Sequence, residues 1–185
     1  MKLQLAMVPE LPEIEELSSD LYDMENMIEG YLTFARGDGD EKGVETPLSE
    51  PINEVVRAWK KNGAEIDLHI EEEVTLILKP MAFGRCLENL IANASRHGKH
   101  IWIRVGRRRS GFEITIDDDG PGIPRTERQN VFRPFYRLDE SRNPKTGGNG
   151  LGLAIARDIA RAHGGDIELE EAPQGGLRAQ IRLPL

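Results

Sequence analysis

The chain of 185 residues contains a single cysteine, Cys86, so it has no partner for an internal disulfide and no companion thiolate for a zinc site. Disulfide scaffolds and zinc fingers are excluded, and a reducing cytoplasmic setting is the natural expectation. No apolar run approaches the roughly 20 residues that a membrane helix needs, and Met1-Lys2-Leu3-Gln4 lacks the long apolar stretch of a signal peptide. The chain as it stands is therefore expected to be soluble. Basic residues are in deficit: 24 Lys and Arg stand against 32 Asp and Glu, a formal charge of -8, which argues against a nonspecific nucleic-acid binder. At 38% hydrophobic residues the chain is polar for a globular protein yet far from the composition of a disordered one. Its length suits one domain of ordinary size, or a small domain with an appended element.

Apolar residues at Ile14, Leu17, Leu21, Met24, Ile28, Tyr31 or Leu32, and Ala35 alternate at three and four, a heptad seam. Such a seam buries itself against a second helix, from another copy of the chain or from its own domain. The stretch Arg36-Gly37-Asp38-Gly39-Asp40-Glu41-Lys42-Gly43 has three glycines and no apolar residue, which marks a linker and a domain boundary. Three parts follow: 1–36, a coiled-coil segment; 37–44, the linker; and 45–185. In the last part Pro51 to Lys61, Pro80 to His97 and Gly150 to His163 read as helices. Ile66 to Ile70, Val74 to Leu78, Ile101 to Val105, Phe112 to Ile116, Ile167 to Leu169 and Leu177 to Leu183 read as strands. Most strands come in adjacent pairs instead of alternating singly with helices, so the fold class is α+β, with a largely antiparallel sheet under a helical layer. The run Arg107-Arg108-Arg109-Ser110-Gly111 reads as a solvated hairpin tip.

Three segments carry chemistry. On the helix Pro80 to His97, Phe83, Leu87, Leu90, Ile91 and Ala94 form an apolar stripe, while Asn89, Asn93, Arg96 and His97 share another side. A neutral amide oxygen ligates a hard cation such as Mg²⁺ while leaving room for phosphate oxygens, and a nearby arginine neutralises phosphate charge. An exposed polar helix face explains the same pattern without a ligand. The second segment, Asp117-Asp118-Asp119-Gly120-Pro121-Gly122-Ile123, follows a strand. It reads as a polar turn, or as a carboxylate, placed at Asp118, that accepts a hydrogen bond from an exocyclic amine such as that of adenine; an EF-hand's alternating acids are missing. The third, Gly147-Gly148-Asn149-Gly150-Leu151-Gly152-Leu153, leads into a helix whose free N–H groups suit phosphate, although glycine clusters are also ordinary loops. It follows no strand and lacks Gly-Lys-Ser/Thr, so Rossmann and P-loop readings fail.

In order and spacing these segments resemble the sensor histidine kinases. Glu88-Asn89-Leu90-Ile91-Ala92-Asn93-Ala94 is similar to their N box, Asp118-x-Gly120-x-Gly122 to the G1 box, Phe132-Arg133-Pro134-Phe135-Tyr136-Arg137 to the F box and Gly148-x-Gly150-Leu151-Gly152-Leu153 to the G2 box. The resemblance runs from about Pro51 to Leu185, and the F box favours the kinases over the gyrase, Hsp90 and MutL type of ATPase. It implies a Bergerat ATP-binding fold, a two-layer α/β sandwich with ATP and Mg²⁺ as cofactors and a lid from Arg137 to Gly148. By position it implies that Asn93 ligates Mg²⁺ with Asn89 close by, that Arg96 contacts phosphate, that His97 flanks the nucleotide and that Asp118 receives the adenine amine. Gly120, Gly122, Ile123, Phe132, Gly148, Gly150, Leu151, Gly152 and Leu153 complete the ATP site. Arg137 would face the γ-phosphate as a catalytic residue, Glu88 would stand where related ATPases carry a general base, and Phe132 and Phe135 would anchor the lid on apolar surface.

The first 36 residues resemble the end of the dimerisation and phosphotransfer hairpin of these kinases, with Leu11 to Ala35 as its second helix. The H box with its acceptor histidine is absent. His69 and His163 read as structural, the latter as a charge suited to a helix C-terminus. The resemblance implies a homodimer through the hairpin, a response-regulator receiver domain as partner, and a parent protein anchored in the membrane upstream with this part in the cytoplasm. A nucleotide-sensing module that phosphorylates nothing, or a hydrolytic ATPase of the same superfamily, are the competing readings.

Overall fold

The computed structural model describes residues 41–108, 111–138 and 150–184. The expected coiled-coil segment, Gly148 and most of the expected lid lie outside the described residues. The elements run β1 (Val44–Pro47), α1 (Ser49–Lys61), β2 (Glu65–Ile70), β3 (Thr75–Leu78), α2 (Pro80–His97), β4 (His100–Arg108), β5 (Gly111–Asp118), a 3-10 turn (Asn130–Phe132), α3 (Gly152–Ala162), β6 (Asp166–Glu171) and β7 (Leu177–Leu183).

Five strands form one sheet in the order β2-β4-β5-β7-β6, and β1 pairs antiparallel with β3 in a separate ribbon. The β2–β4 pair is parallel, because α2 and β3 intervene between its strands; the other three pairs are antiparallel. Alternation along the strands sends Ile101, Ile103 and Val105, Ile114 and Ile116, Ala179 and Ile181, and Ile167 and Leu169 into the buried cluster. The helices meet that cluster with apolar stripes at helical spacing: Ile52, Val55 and Val56 on α1; Phe83, Leu87, Leu90, Ile91 and Ala94 on α2; Leu153, Ala156, Ile159 and Ala160 on α3. The other face of the sheet carries Trp102 beside charged residues. It includes Asp117, fully buried in a bidentate pair with Arg178 at 2.7 and 2.6 Å.

The strand β1 is absent from the sequence-based reading, which ended the linker at residue 44. Val44-Glu45-Thr46-Pro47 contains a proline and lies on a two-stranded ribbon, where pairing with Thr75–Leu78 outweighs weak local propensity.

The N-terminus of α2 is held by long-range partners. Its N-cap, Lys79, offers no side-chain cap. Instead the Glu41 carboxylate accepts the Met81 and Ala82 N–H groups at 2.8 and 3.0 Å, and the Phe83 N–H donates to Lys79 O at 2.9 Å. The Lys79 N–H donates to His163 Nε2 at 3.0 Å, while His163 Nδ1 lies 2.7 Å from Ile159 O. An acceptor role for Nε2 and a donor role for Nδ1 require the neutral ring. His163 is therefore a neutral bridge between α3 and α2, not the positive charge that its helix-end position suggested.

Candidate functional site

The three consecutive aspartates at the end of β5 have three different surroundings. The carboxylate of Asp117 is committed to Arg178. Exposed Asp119 accepts the His100 and Lys99 N–H groups at 3.0 and 2.7 Å, bonds that hold its carboxyl below the usual range and fix the start of β4. Asp118 is 2% exposed, and its Oδ1 accepts the N–H groups of Gly120 at 2.9 Å and Leu177 at 3.1 Å. Both bonds fall on one oxygen, so Oδ2 remains the acceptor for a ligand. Burial pushes the Asp118 carboxyl above its ordinary range, against the opposing pull of those two N–H groups.

Glycines make this burial possible. A Cβ on Gly120 would lie 2.7 Å from His97 O and 2.9 Å from Asp118 Oδ1, and one on Gly176 would lie 2.5 Å from the same Oδ1. At Gly98 it would come within 3.0 Å of Asp118 Cβ. The backbone thus closes on the carboxylate from the end of α2, from the G1 loop and from the β6–β7 turn. Gly98 and Gly176 escaped the sequence reading, because each is distant from Asp118 along the chain and neither belongs to a recognisable spacing.

The polar side of α2 starts next to this carboxylate and runs toward α3. His97 and Arg96 are exposed, while Asn93 and Asn89 are half-buried. Asn89 Nδ2 donates to Arg85 O, one turn back, at 3.0 Å, and a Cβ on Gly152 would sit 3.2 Å from Asn89 Oδ1. Gly152 opens α3, so the N and G2 segments face one another at close range, and a larger residue there would require Asn89 to give way. Glu88 is exposed beside them. Leu151 and Leu153 are buried, and Ile123 packs partly on the core, which makes them walls and supports.

Arg137, at the end of the F segment, is exposed, and neither it nor Arg96 has an ion-pair partner among the described residues. Desolvation first, and the charge of Arg137 second, hold the Arg96 guanidinium below its ordinary range.

The F segment is tied to α3 from two sides. Phe132 is buried, with the Arg157 guanidinium 4.3 Å from its ring centroid. The Phe135 N–H donates to Gly150 O at 2.9 Å, so the chain leaves and re-enters next to itself at the base of the segment between them. Gly150 has φ +64°, and a Cβ there would meet Phe135 backbone carbon at 2.8 Å. Phe135 itself has φ +65° and is 53% exposed. Phe132 is thus packed on the core and Phe135 is exposed among the described residues; the lid that both were expected to anchor lies outside them.

Residues 78–185 match the family described as histidine kinase-, DNA gyrase B- and HSP90-like ATPase. The chain is 34% identical over 185 residues to the sensor histidine kinase CpxA of Escherichia coli strain K12, covering 95% of this chain and 40% of CpxA. Among solved structures, the mycobacterial sensor histidine kinase MprB matches with a TM-score of 0.68 at 26% identity, over 77% of this chain and 97% of that one. The histidine kinase domain of the E. coli osmosensor EnvZ matches with a TM-score of 0.61 at 30% identity, over 79% and 91%. The chain belongs to the histidine kinase-, DNA gyrase B- and HSP90-like ATPases, and the domain it carries is the ATP-binding domain of a sensor histidine kinase. No described helix is long and apolar enough to cross a membrane.

Proposed function

We propose that this chain is the catalytic portion of a sensor kinase that moves the γ-phosphoryl of ATP to a histidine nitrogen and thence to an aspartate of a response-regulator receiver domain. The observation that carries the reading is Asp118: a carboxylate this deeply buried, with one oxygen saturated by backbone N–H groups, is kept for a ligand's amine. Adenine supplies that amine. Gly120, Gly122 and Ile123 line the base, and His97 flanks it. Asn89 and Asn93 face the phosphates with Arg96, and Gly150, Leu151, Gly152 and Leu153 wrap the helix start around them; the part given to Gly148 rests on the kinase resemblance alone. Phe132 supports this wall from beneath.

The donor set also fits Mg²⁺. Asn93 makes no side-chain hydrogen bond to a described residue, so its amide oxygen is available, and neutral amides suit an ion whose remaining ligands are phosphate oxygens and water. When bound, the ion would neutralise phosphate charge at Asn93. Arg137 would then stabilise the charge on the γ-phosphoryl during transfer to the imidazole nitrogen, with ADP leaving. Glu88, which stands where related ATPases carry a general base, would take a proton from an incoming nucleophile.

The rest of the reading follows the kinase pattern. Residues 1–36 would belong to the dimerisation hairpin of a homodimer, 37–44 to the linker and 45–185 to the catalytic domain, on the cytoplasmic side of a membrane-anchored parent. The test is to mix the full chain with Mg²⁺, γ-labelled ATP and a separate dimerisation hairpin bearing an H-box histidine. Acid-labile, alkali-stable label is expected on the hairpin and not on the chain, where His69, His97, His100 and His163 lack the acceptor setting. Nucleotide uptake without transfer would favour a sensing module. Steady phosphate release abolished by Glu88→Ala would favour a hydrolytic ATPase.

A further inference from the structure

We propose that Glu127 is a positioning residue that aims Arg137 by gripping the hydroxyl of Tyr136. The proposal rests on the reading of Arg137 as the partner of the γ-phosphate. Tyr136 donates its phenolic O–H to Glu127 Oε2 at 2.5 Å, and Asn130 Nδ2 donates to the same oxygen at 3.0 Å. One carboxylate thus gathers the 3-10 turn that carries Phe132 and the residue immediately before Arg137. A bond this short between a hydroxyl and a carboxylate oxygen is a charge-assisted one. Consistent with it, the Tyr136 phenol is held above its ordinary range and the Glu127 carboxyl below.

The grip acts where direction is decided. Tyr136 N–H donates to Arg133 O at 3.1 Å, Phe135 N–H to Gly150 O at 2.9 Å, and Phe135 adopts the left-handed conformation between them. These backbone bonds fix residues 133–136 up to the last peptide before Arg137. The phenol then fixes the rotation of that last residue, because a half-buried ring held at both ends cannot swing. Arg137 follows directly after this point, and its charge acts on Arg96. Without the grip, the backbone that sets the direction of Arg137 would be free to turn.

The experiment measures ATP and ADP affinity on the full chain in Mg²⁺, by titration calorimetry, for the parent and for Arg137→Ala, Tyr136→Phe, Glu127→Ala and Glu127→Gln. Only ATP carries the phosphate that Arg137 meets, so the ATP-to-ADP preference reads its aim. Arg137→Ala is expected to reduce that preference about tenfold, the worth of ~1.4 kcal/mol. Tyr136→Phe and Glu127→Ala should reproduce most of this loss with ADP affinity unchanged. Glu127→Gln should retain the parent preference, because its amide oxygen still accepts the phenol. Tyr136→Phe removes one exposed-edge oxygen and decides the matter if Glu127→Ala fails to fold. If Arg137→Ala loses the preference and Tyr136→Phe keeps it, the positioning role is wrong while the reading of Arg137 stands. If Arg137→Ala changes nothing, the reading of Arg137 fails and the proposal falls with it.

Discussion

Replacing Asp118 with asparagine is expected to weaken ATP and ADP binding at least about tenfold, roughly 1.4 kcal/mol, while leaving the ligand-free chain as stable as the parent at pH 7 or more so. The two effects have one cause. The asparagine oxygen can still accept the Gly120 and Leu177 N–H groups that Asp118 Oδ1 holds, so the local backbone is preserved. What changes is the second atom, an acceptor in the parent and an NH₂ in the variant, which meets the adenine amine donor to donor. Burial raises the Asp118 pKa, so the folded chain holds that proton more tightly than the unfolded chain does. Stability from this group is therefore greatest in acid. It declines as pH rises from the unfolded-state value through the raised folded-state value, and stays lost above it. The neutral variant escapes that decline. Calorimetric titration and a thermal melt at pH 7 check both halves; a variant that loses binding and melts well below the parent would show that Asp118 is a structural carboxylate.

Asn93→Ala should reduce phosphotransfer to an H-box hairpin in trans on the order of a hundredfold in Mg²⁺, while affinity for ATP in excess EDTA stays that of the parent. The asymmetry follows from the roles given to the amides. Asn89 is engaged with the Arg85 carbonyl and abuts Gly152, so its loss would disturb the packing of α2 on α3. Asn93 makes no such bond, so its removal touches the ion and little else. An equal loss of affinity with and without Mg²⁺ would mean that Asn93 contacts the nucleotide directly.

The sandwich was legible wherever period and burial agree. On α2 the stripe from Phe83 to Ala94 is buried as its spacing requires, and the alternation from Ile101 to Val105 and from Phe112 to Ile116 gives two central strands. The three consecutive aspartates could not be told apart by burial alone, since Asp117 and Asp118 are both buried; their partners separate them, Arg178 on Asp117 and two backbone N–H groups on Asp119. What stayed hidden is tertiary. Gly98 and Gly176 matter through a carboxylate that neither adjoins. Glu41 caps a helix 40 residues away, and His163 is neutral because of a backbone N–H on another helix. The strand Val44–Pro47 has too little propensity to be seen without its partner. The left-handed backbone at Phe135 has no sequence signal of its own.

The most direct test of the account is titration of the full chain with ATP, ADP and GTP in Mg²⁺. One ATP per chain is predicted, with GTP at least about tenfold weaker, because its 6-oxo group brings an acceptor to the Asp118 carboxyl oxygen where adenine offers a donor. Equal affinity for GTP and ATP, or no uptake of ATP, would contradict it.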